Sequence, residues 1–473
     1  MKLIRATVFV LAGLMILPAA WTQEKTQPLP KNLPAYGPLV PFRGPQVVQK
    51  RLANGLTLWM VSRAGFPKVS FAVAVRGGMA SDPKDRPGLS KLLMDTIDQG
   101  TQSKNARQIA EAFQADGGDL TGDAHADFTE SMISVLASWA SSTLETLSDV
   151  LENATFPNSE VALAKRNEAD SLRASEAEPS FLANRALARE MFDNHPYSVT
   201  SLTQASLAAT TPDQLRRAYA MRFRPDRTIL VAVGDFDPGP MANAVQKALG
   251  GWTTPAGSPA ASVPQPVQNN PHGVFLVPRK GSVQTAFRLG AFGPLESSAD
   301  FEAAEVADAI YGGMFGSRLV NDIREDKGYT YSPGADIQER SEAGVLETRA
   351  SVRNAVTGAS LNEILYQMNR MATTSPTPEE LTRAKRYLTG IRAIEYQLQE
   401  AVAERLASLW VVGLPPQELG EESSKIQTVT FAEVDQAGRK YFPASRQTIV
   451  AVGEQSVIQQ QLKPFGLPVH PVE

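Results

Sequence analysis

Four histidines and no cysteine set the first limits on the chemistry open to this chain of 473 residues. His125, His195, His272 and His470 never fall two to a helical turn, so no helix can offer paired imidazoles to one metal ion. Without thiols there are no disulfides, thiolate metal sites, cysteine nucleophiles or lipid-bearing cysteines. No histidine is placed to activate a serine, Ser171 included, and there is no nucleophile-elbow motif. Each histidine therefore reads as an ordinary surface or core residue. Two other pairs stand out. Lys91 and Asp95 are at i and i+4, the spacing of an ion pair on one helix face, worth about 0.3–0.5 kcal/mol where exposed. Arg324 and Tyr331 stand seven residues apart. Taken alone, Arg324 reads as paired with Glu325 or Asp326 at a helix end, and Tyr331 as a core strand residue.

The elements that must position these residues follow from periodicity. Arg51 to Val61 reads as strand with a tight turn at Asn54-Gly55, and the alternation of Val69 to Arg76 gives a second strand. Leu89, Leu92, Leu93 and Ile97 share one face of a helix predicted over 88–99. Ile109, Ala110 and Phe113 face inward on a helix over 106–115 that Gly117-Gly118 ends. A strand over 131–138 and a helix over 142–151 come next. The pattern is α+β: helices packed on one face of a largely antiparallel sheet.

The unit is used twice. Thr228-Ile229-Leu230-Val231-Ala232-Val233-Gly234 returns one residue shorter as Thr448-Ile449-Val450-Ala451-Val452-Gly453, and Ala164-Lys165-Arg166 returns as Ala384-Lys385-Arg386. Both repeats share one offset, 448 − 228 = 384 − 164 = 220. Residues 253–272, rich in Pro, Ala, Ser, Gln and Asn, read as a linker between units at 46–252 and 273–467, with 468–473 as a tail.

Lys2, Arg5, the apolar run Ala6 to Leu17 and Pro18-Ala19-Ala20 read as a signal peptide over 1–22, followed by a Pro-rich linker over 23–45. They predict export, to a periplasm or beyond the cell, and no membrane span once the signal is removed. The hydrophobic share of 42%, the charged share of 20% and a net charge of −4 are ordinary for globular protein and give no sign of nucleic-acid binding.

Several segments resemble the pitrilysin/insulinase family, which includes the processing peptidases. They are Asn54-Gly55-Leu56, Gly88 to Asp95 with Gly100-Thr101, Gly117-Gly118-Asp119-Leu120 with Asp127-Phe128-Thr129, His195-Pro196-Tyr197, and Arg224-Pro225-Asp226 running into Val233-Gly234-Asp235-Phe236. The resemblance spans nearly the whole chain beyond the leader and implies two homologous units arranged like a clam. It also implies a zinc helix with H-x-x-E-H and a third ligand, a glutamate, about 80 residues further on. Here the first histidine position holds Lys91, the base position Met94, the second histidine position Asp95, and the third ligand falls at Ser171, beside Asp170. An ammonium has no lone pair for zinc, a thioether is no base at neutral pH, and catalytic zinc takes three protein ligands. The resemblance therefore implies no metal in this chain, with the Lys91–Asp95 pair filling the vacated place.

What the resemblance retains is the segment Gly312-Gly313-Met314, Ser317-Arg318-Leu319 and Ile323 to Tyr331, which carries the family's arginine–tyrosine pair at Arg324 and Tyr331. Tyr329 departs from the aliphatic residue common there. In the family the arginine holds substrate backbone and the tyrosine donates to the developing oxyanion. The implied function is the non-zinc subunit of a heterodimeric peptidase. It would bind an extended peptide and supply Arg324 and Tyr331 to a homologous, zinc-bearing partner. A scaffold or peptide-binding protein of the same fold is the alternative.

Overall fold

The computed structural model describes Gly37, residues 44–257, 263–267 and 273–472. The expected signal peptide, nearly all of the Pro-rich linker, His272 and parts of the 253–272 linker lie outside the described residues.

Two six-stranded sheets carry the fold. The first has strands β1 (Val48–Arg51), β2 (Thr57–Ser62), β3 (Lys68–Arg76), β4 (Thr121–Ala124), β5 (Phe128–Leu136) and β6 (Thr228–Gly234), in the order β1-β2-β6-β3-β5-β4. The second has β7 (Val274–Pro278), β8 (Gln284–Gly293), β9 (Gly334–Gln338), β10 (Gly344–Arg353), β11 (Thr448–Gly453) and β12 (Val469–Pro471), in the order β12-β7-β11-β8-β10-β9. Position for position the central strands correspond. β2 pairs β6 and β7 pairs β11 in parallel, while β3–β5, β3–β6, β8–β10 and β8–β11 are antiparallel. The helices repeat as well: Asn158–Glu176 and Pro179–Phe192 return as Pro378–Glu395 and Gln399–Val411, offset by 378 − 158 = 399 − 179 = 220.

The central strands of each sheet are buried on both faces, as continuous apolar strands require. Phe71, Val73 and Val75 of β3, with Leu230 and Ala232 of β6, face the first unit's own helices. Ala72 and Ala74, with Ile229, Val231 and Val233, face the other way and are covered by Val402, Leu406 and Leu409 of helix Gln399–Val411. The second sheet mirrors this arrangement. Val450 and Val452 of β11 and Ala286 of β8 pack under Ala183, Leu187 and Met191 of helix Pro179–Phe192. Each unit thus keeps its own helices on one face, as expected, and covers the far face with a helix from the other unit. Among the described residues no helix is long and apolar enough to cross a membrane.

One element differs from expectation beside the site. The helix predicted over 88–99 is the six-residue segment Leu89–Met94. Thr96 returns its hydroxyl to the Leu92 carbonyl at 2.6 Å, and the chain then continues in turns. Such back-bonding competes with continued helix.

Candidate functional site

Helix Leu89–Met94 is held from its start. Gly88 has φ 80°, and a Cβ there would fall 2.3 Å from that of Leu202, so both conformation and closeness require glycine. The buried Asp82 carboxylate accepts the Ser90 amide at 3.1 Å and its hydroxyl at 2.6 Å. Arg222, also buried, donates to the Ser90 hydroxyl at 2.6 Å, to Asp82 at 2.9 Å and to the Ser81 carbonyl at 3.0 Å. Burial pushes the Asp82 carboxyl up, against the pull of Arg222 and Ser90. Nothing local in the sequence announces this knot, because its partners lie 8 and 132 residues from Ser90.

On the inner side of the helix the Lys91 ammonium binds Asp95 and lies 3.2 Å from Glu168 of helix Asn158–Glu176. Ser171, expected here, is exposed, and Asp170 pairs with Arg173 at the surface. Glu168, rather than either of these, is the residue that meets Lys91. It stands three residues earlier, nearly one helical turn, and its side chain reaches Lys91 where that of Ser171 does not. Met94 is buried, with its thioether methyl close against Gly122 of edge strand β4, where a Cβ would fall 3.2 Å from that methyl. Burial works against the Lys91 charge, but Asp95 and Glu168 outweigh it and hold the ammonium above its ordinary pKa. Asp95 is pushed up to about 6, by burial first and by Glu168 in addition.

These residues do not fit a zinc ion. A cation of the protein's own stands between the two carboxylates, and the thioether in the base position is packed away from water. Among the described residues no three His, Asp or Glu side chains are arranged to hold a metal.

Arg324 and Tyr331 lie in the second unit. Arg324 is carried on a wide π-helical turn, Asn321–Asp326, a form frequent at functional positions. Gly328, at φ 61°, then bends the chain back, and the Thr330 hydroxyl anchors it on the Ser351 carbonyl at 2.6 Å. The Arg324 guanidinium is sandwiched between two rings, with centroids 4.6 Å away at both Tyr331 and Phe315, and its Nε lies 3.0 Å from Glu325. Tyr331 is 79% exposed and Phe315 63%, so the core-strand reading of Tyr331 does not hold. Of the two tyrosines, Tyr331 meets the arginine. Phe315 was not singled out from sequence, and no motif marks it. Among the described residues no hydrogen bond, ion pair or ring contact links Arg324 or Tyr331 to Lys91, Asp95 or Glu168.

The three described histidines take structural places. His125 stacks on Phe128 at 4.3 Å, with Nε2 3.6 Å from Glu130. His195 caps the turn Pro196–Ser198 and meets the Pro264 carbonyl at 2.8 Å. His470 lies against Phe275. The Asp127 and Tyr197 landmarks act together: Asp127 accepts the Tyr197 hydroxyl at 2.7 Å and the Ser341 amide at 2.8 Å, and the Tyr197 oxygen accepts the Glu342 amide at 3.1 Å. The first unit thereby grips the turn between β9 and β10, beside a cleft of about 590 Å³ lined from both units by His125, Glu130, Arg340 and Glu404.

Comparison with known proteins agrees with this architecture. Residues 60–204 match the family described as Insulinase (Peptidase family M16), and residues 209–388 match the Peptidase M16 inactive domain. The chain is 23% identical to an uncharacterized zinc protease, YmxG, of Bacillus subtilis, over 82% of this chain and 94% of that one. It is also 23% identical to the non-peptidase homolog YmxG of Helicobacter pylori, over 77% and 84%. A solved peptidase M16 inactive domain from Pseudomonas fluorescens shares the fold with TM-score 0.80 and 23% identity, over 86% of this chain and 98% of that one. With both family halves matched in order and the fold shared over most of the chain, this chain belongs to the insulinase (peptidase M16) family, as a member without the H-x-x-E-H zinc motif.

Proposed function

We propose that this chain is the non-zinc subunit of a heterodimeric insulinase-family peptidase acting outside the cytoplasm. It binds an extended peptide and brings Arg324 and Tyr331 to the zinc site of a homologous partner. The observation that carries the reading is a separation. The chain's own metal position is filled by Lys91, Asp95 and Glu168, while Tyr331 stands exposed on a half-buried Arg324 with no contact to that position. A guanidinium held between two rings keeps its orientation without a substrate, which suits a group meant for another chain's reaction. In that role Arg324 donates to the peptide backbone, and the Tyr331 hydroxyl donates to the carbonyl oxygen as it gains charge. The name non-peptidase homolog, carried by the Helicobacter relative, accords with a chain that does not cut alone.

The test is co-purification with a homologous chain that retains H-x-x-E-H, followed by assay on an unstructured peptide. The isolated chain should cleave nothing. The complex should cleave and stop when zinc is chelated, and Tyr331→Phe or Arg324→Ala in this chain should lower its kcat by about 10²–10³, the loss seen when one transition-state donor is removed. Chelator-sensitive cleavage by the isolated chain would overturn the reading. An unchanged rate in both variants would leave a scaffold.

A further inference from the structure

The duplication supplies an internal control for surface composition. Helix Pro378–Glu395 is the second copy of helix Asn158–Glu176, offset by 220. On the first copy the exposed face carries Leu163, 44% exposed, where the second copy has Arg383, and beyond it only the polar or small Asn167, Ser171 and Ala174, with Glu178 just past the helix. At the matching positions 387, 391, 394 and 398 the second copy carries Tyr387, Ile391, Ile394 and Leu398. Tyr387 is 39% exposed, and Ile394 and Leu398 are each 63% exposed. At these four positions the first copy has no large apolar residue, so the fold does not require one there, and an apolar stripe facing water calls for a ligand.

The stripe has a closed end. Arg383, one turn before Tyr387, packs on Gly316, the residue after Phe315. Arg383 thus places this end of the stripe beside the segment that carries Phe315. Arg383 is exposed and makes no hydrogen bond or ion pair with any described residue. Arg324 uses only its Nε, on Glu325, so its two terminal nitrogens keep their donors. Beyond the stack the surface is charged, with Lys327 bridging Asp322 and Glu363.

We propose that this face is a docking track for an extended apolar peptide whose C-terminal carboxylate is held by Arg324 and Arg383. Charge complementarity selects the occupant. Two arginines with spare donors close one end of an apolar track, and a planar carboxylate at the end of an apolar chain matches both. Tyr387 to Ile394 covers roughly 10 Å of helix. With the aromatic pair at one end and Leu398 at the other, the track suits about six extended residues. The proposal rests on Arg324 and Tyr331 facing peptide, but it needs no partner subunit and no cleavage.

The test is fluorescence anisotropy on the isolated full chain, using a dye-labelled hexapeptide of leucine and alanine as free acid and as C-terminal amide. The free acid should bind about ten- to a hundredfold tighter, the worth of a charge-assisted contact. Ile394→Ser and Leu398→Ser, both at exposed positions, should weaken both peptides. Arg383→Gln should weaken the free acid more than the amide and so narrow the gap between them, with Arg324 keeping part of it. Equal binding of acid and amide would overturn the proposal. So would an amidated peptide ending in aspartate that binds as tightly as the free acid, which would assign the arginines to a side-chain carboxylate. A concentration-dependent dimer dissolved by Ile394→Ser would give the face to a second copy of this chain, against the proposal. A peptide that fails to bind here, alongside a complex that still loses cleavage on Tyr331→Phe, would sink this inference and spare the functional reading.

Discussion

At the scale of single residues, the lost metal position is still an electrostatic site, with one ammonium and two carboxylates on facing helices. Asp95, with its pKa raised to about 6, holds its proton more tightly folded than unfolded. Its contribution to stability is therefore largest below the ordinary carboxyl range, falls as pH climbs towards 6, and is flat above that. Lys91 is what limits the fall. Lys91→Met should leave Asp95 and Glu168 facing each other without a cation and raise the Asp95 pKa further. The variant should lose about 1–2 kcal/mol at pH 8, between the values for exposed and buried pairs, and much less at pH 5. Urea unfolding at the two pH values checks this, and equal losses at both would contradict it. The Lys91–Asp95 pair was legible from its i, i+4 spacing alone. Glu168 was not, because residues three apart share a helix face and only the packed structure shows that Glu168, and not Ser171, meets Lys91.

At the scale of elements, the exchanged helices decide stability. Leu406 of helix Gln399–Val411 is fully buried on the far face of the first sheet. Leu406→Ala should cost about 2–5 kcal/mol, as buried leucine truncations do, and urea denaturation measures it. The same methyl groups explain what could be read beforehand. The strand over β3 and the helix Ala106–Ala115 followed from two-residue and 3.6-residue periods, and the capping box at Asn105 and Gln108 adds a local start signal. The run Thr228 to Gly234 is apolar at successive positions, which signals burial on both sides. Periodicity cannot say that the second cover comes from residues 399–411, because that pairing is fixed by the tertiary fold and not by any local pattern. The six-residue helix Leu89–Met94 was overextended for a similar reason: the apolar face continues through Ile97, while a hydroxyl returning to the backbone stops the helix.

At the scale of the whole molecule, the units are joined by more than the linker. Tyr197 is buried and its oxygen serves both Asp127 and the Glu342 amide. Tyr197→Phe leaves a carboxylate oxygen and an amide without that partner, and should cost about 1–3 kcal/mol. Residues of both units share two of the four hydrophobic clusters, so heat or urea should unfold the described body in one transition, detected at the same midpoint by circular dichroism and by tryptophan fluorescence. Two separated midpoints would contradict that coupling. The repeat at offset 220 made the two units visible in the primary structure, whereas the traded helices were not. That trade bears on how such a chain could arise. A polypeptide holding one copy would leave one side of its sheet bare of any cover, and could satisfy it only by meeting a twin that offered the same helix in return. Duplication with fusion makes that meeting internal, and then leaves each half free to change by itself: one towards a half-buried charge trio, the other towards an arginine between two rings.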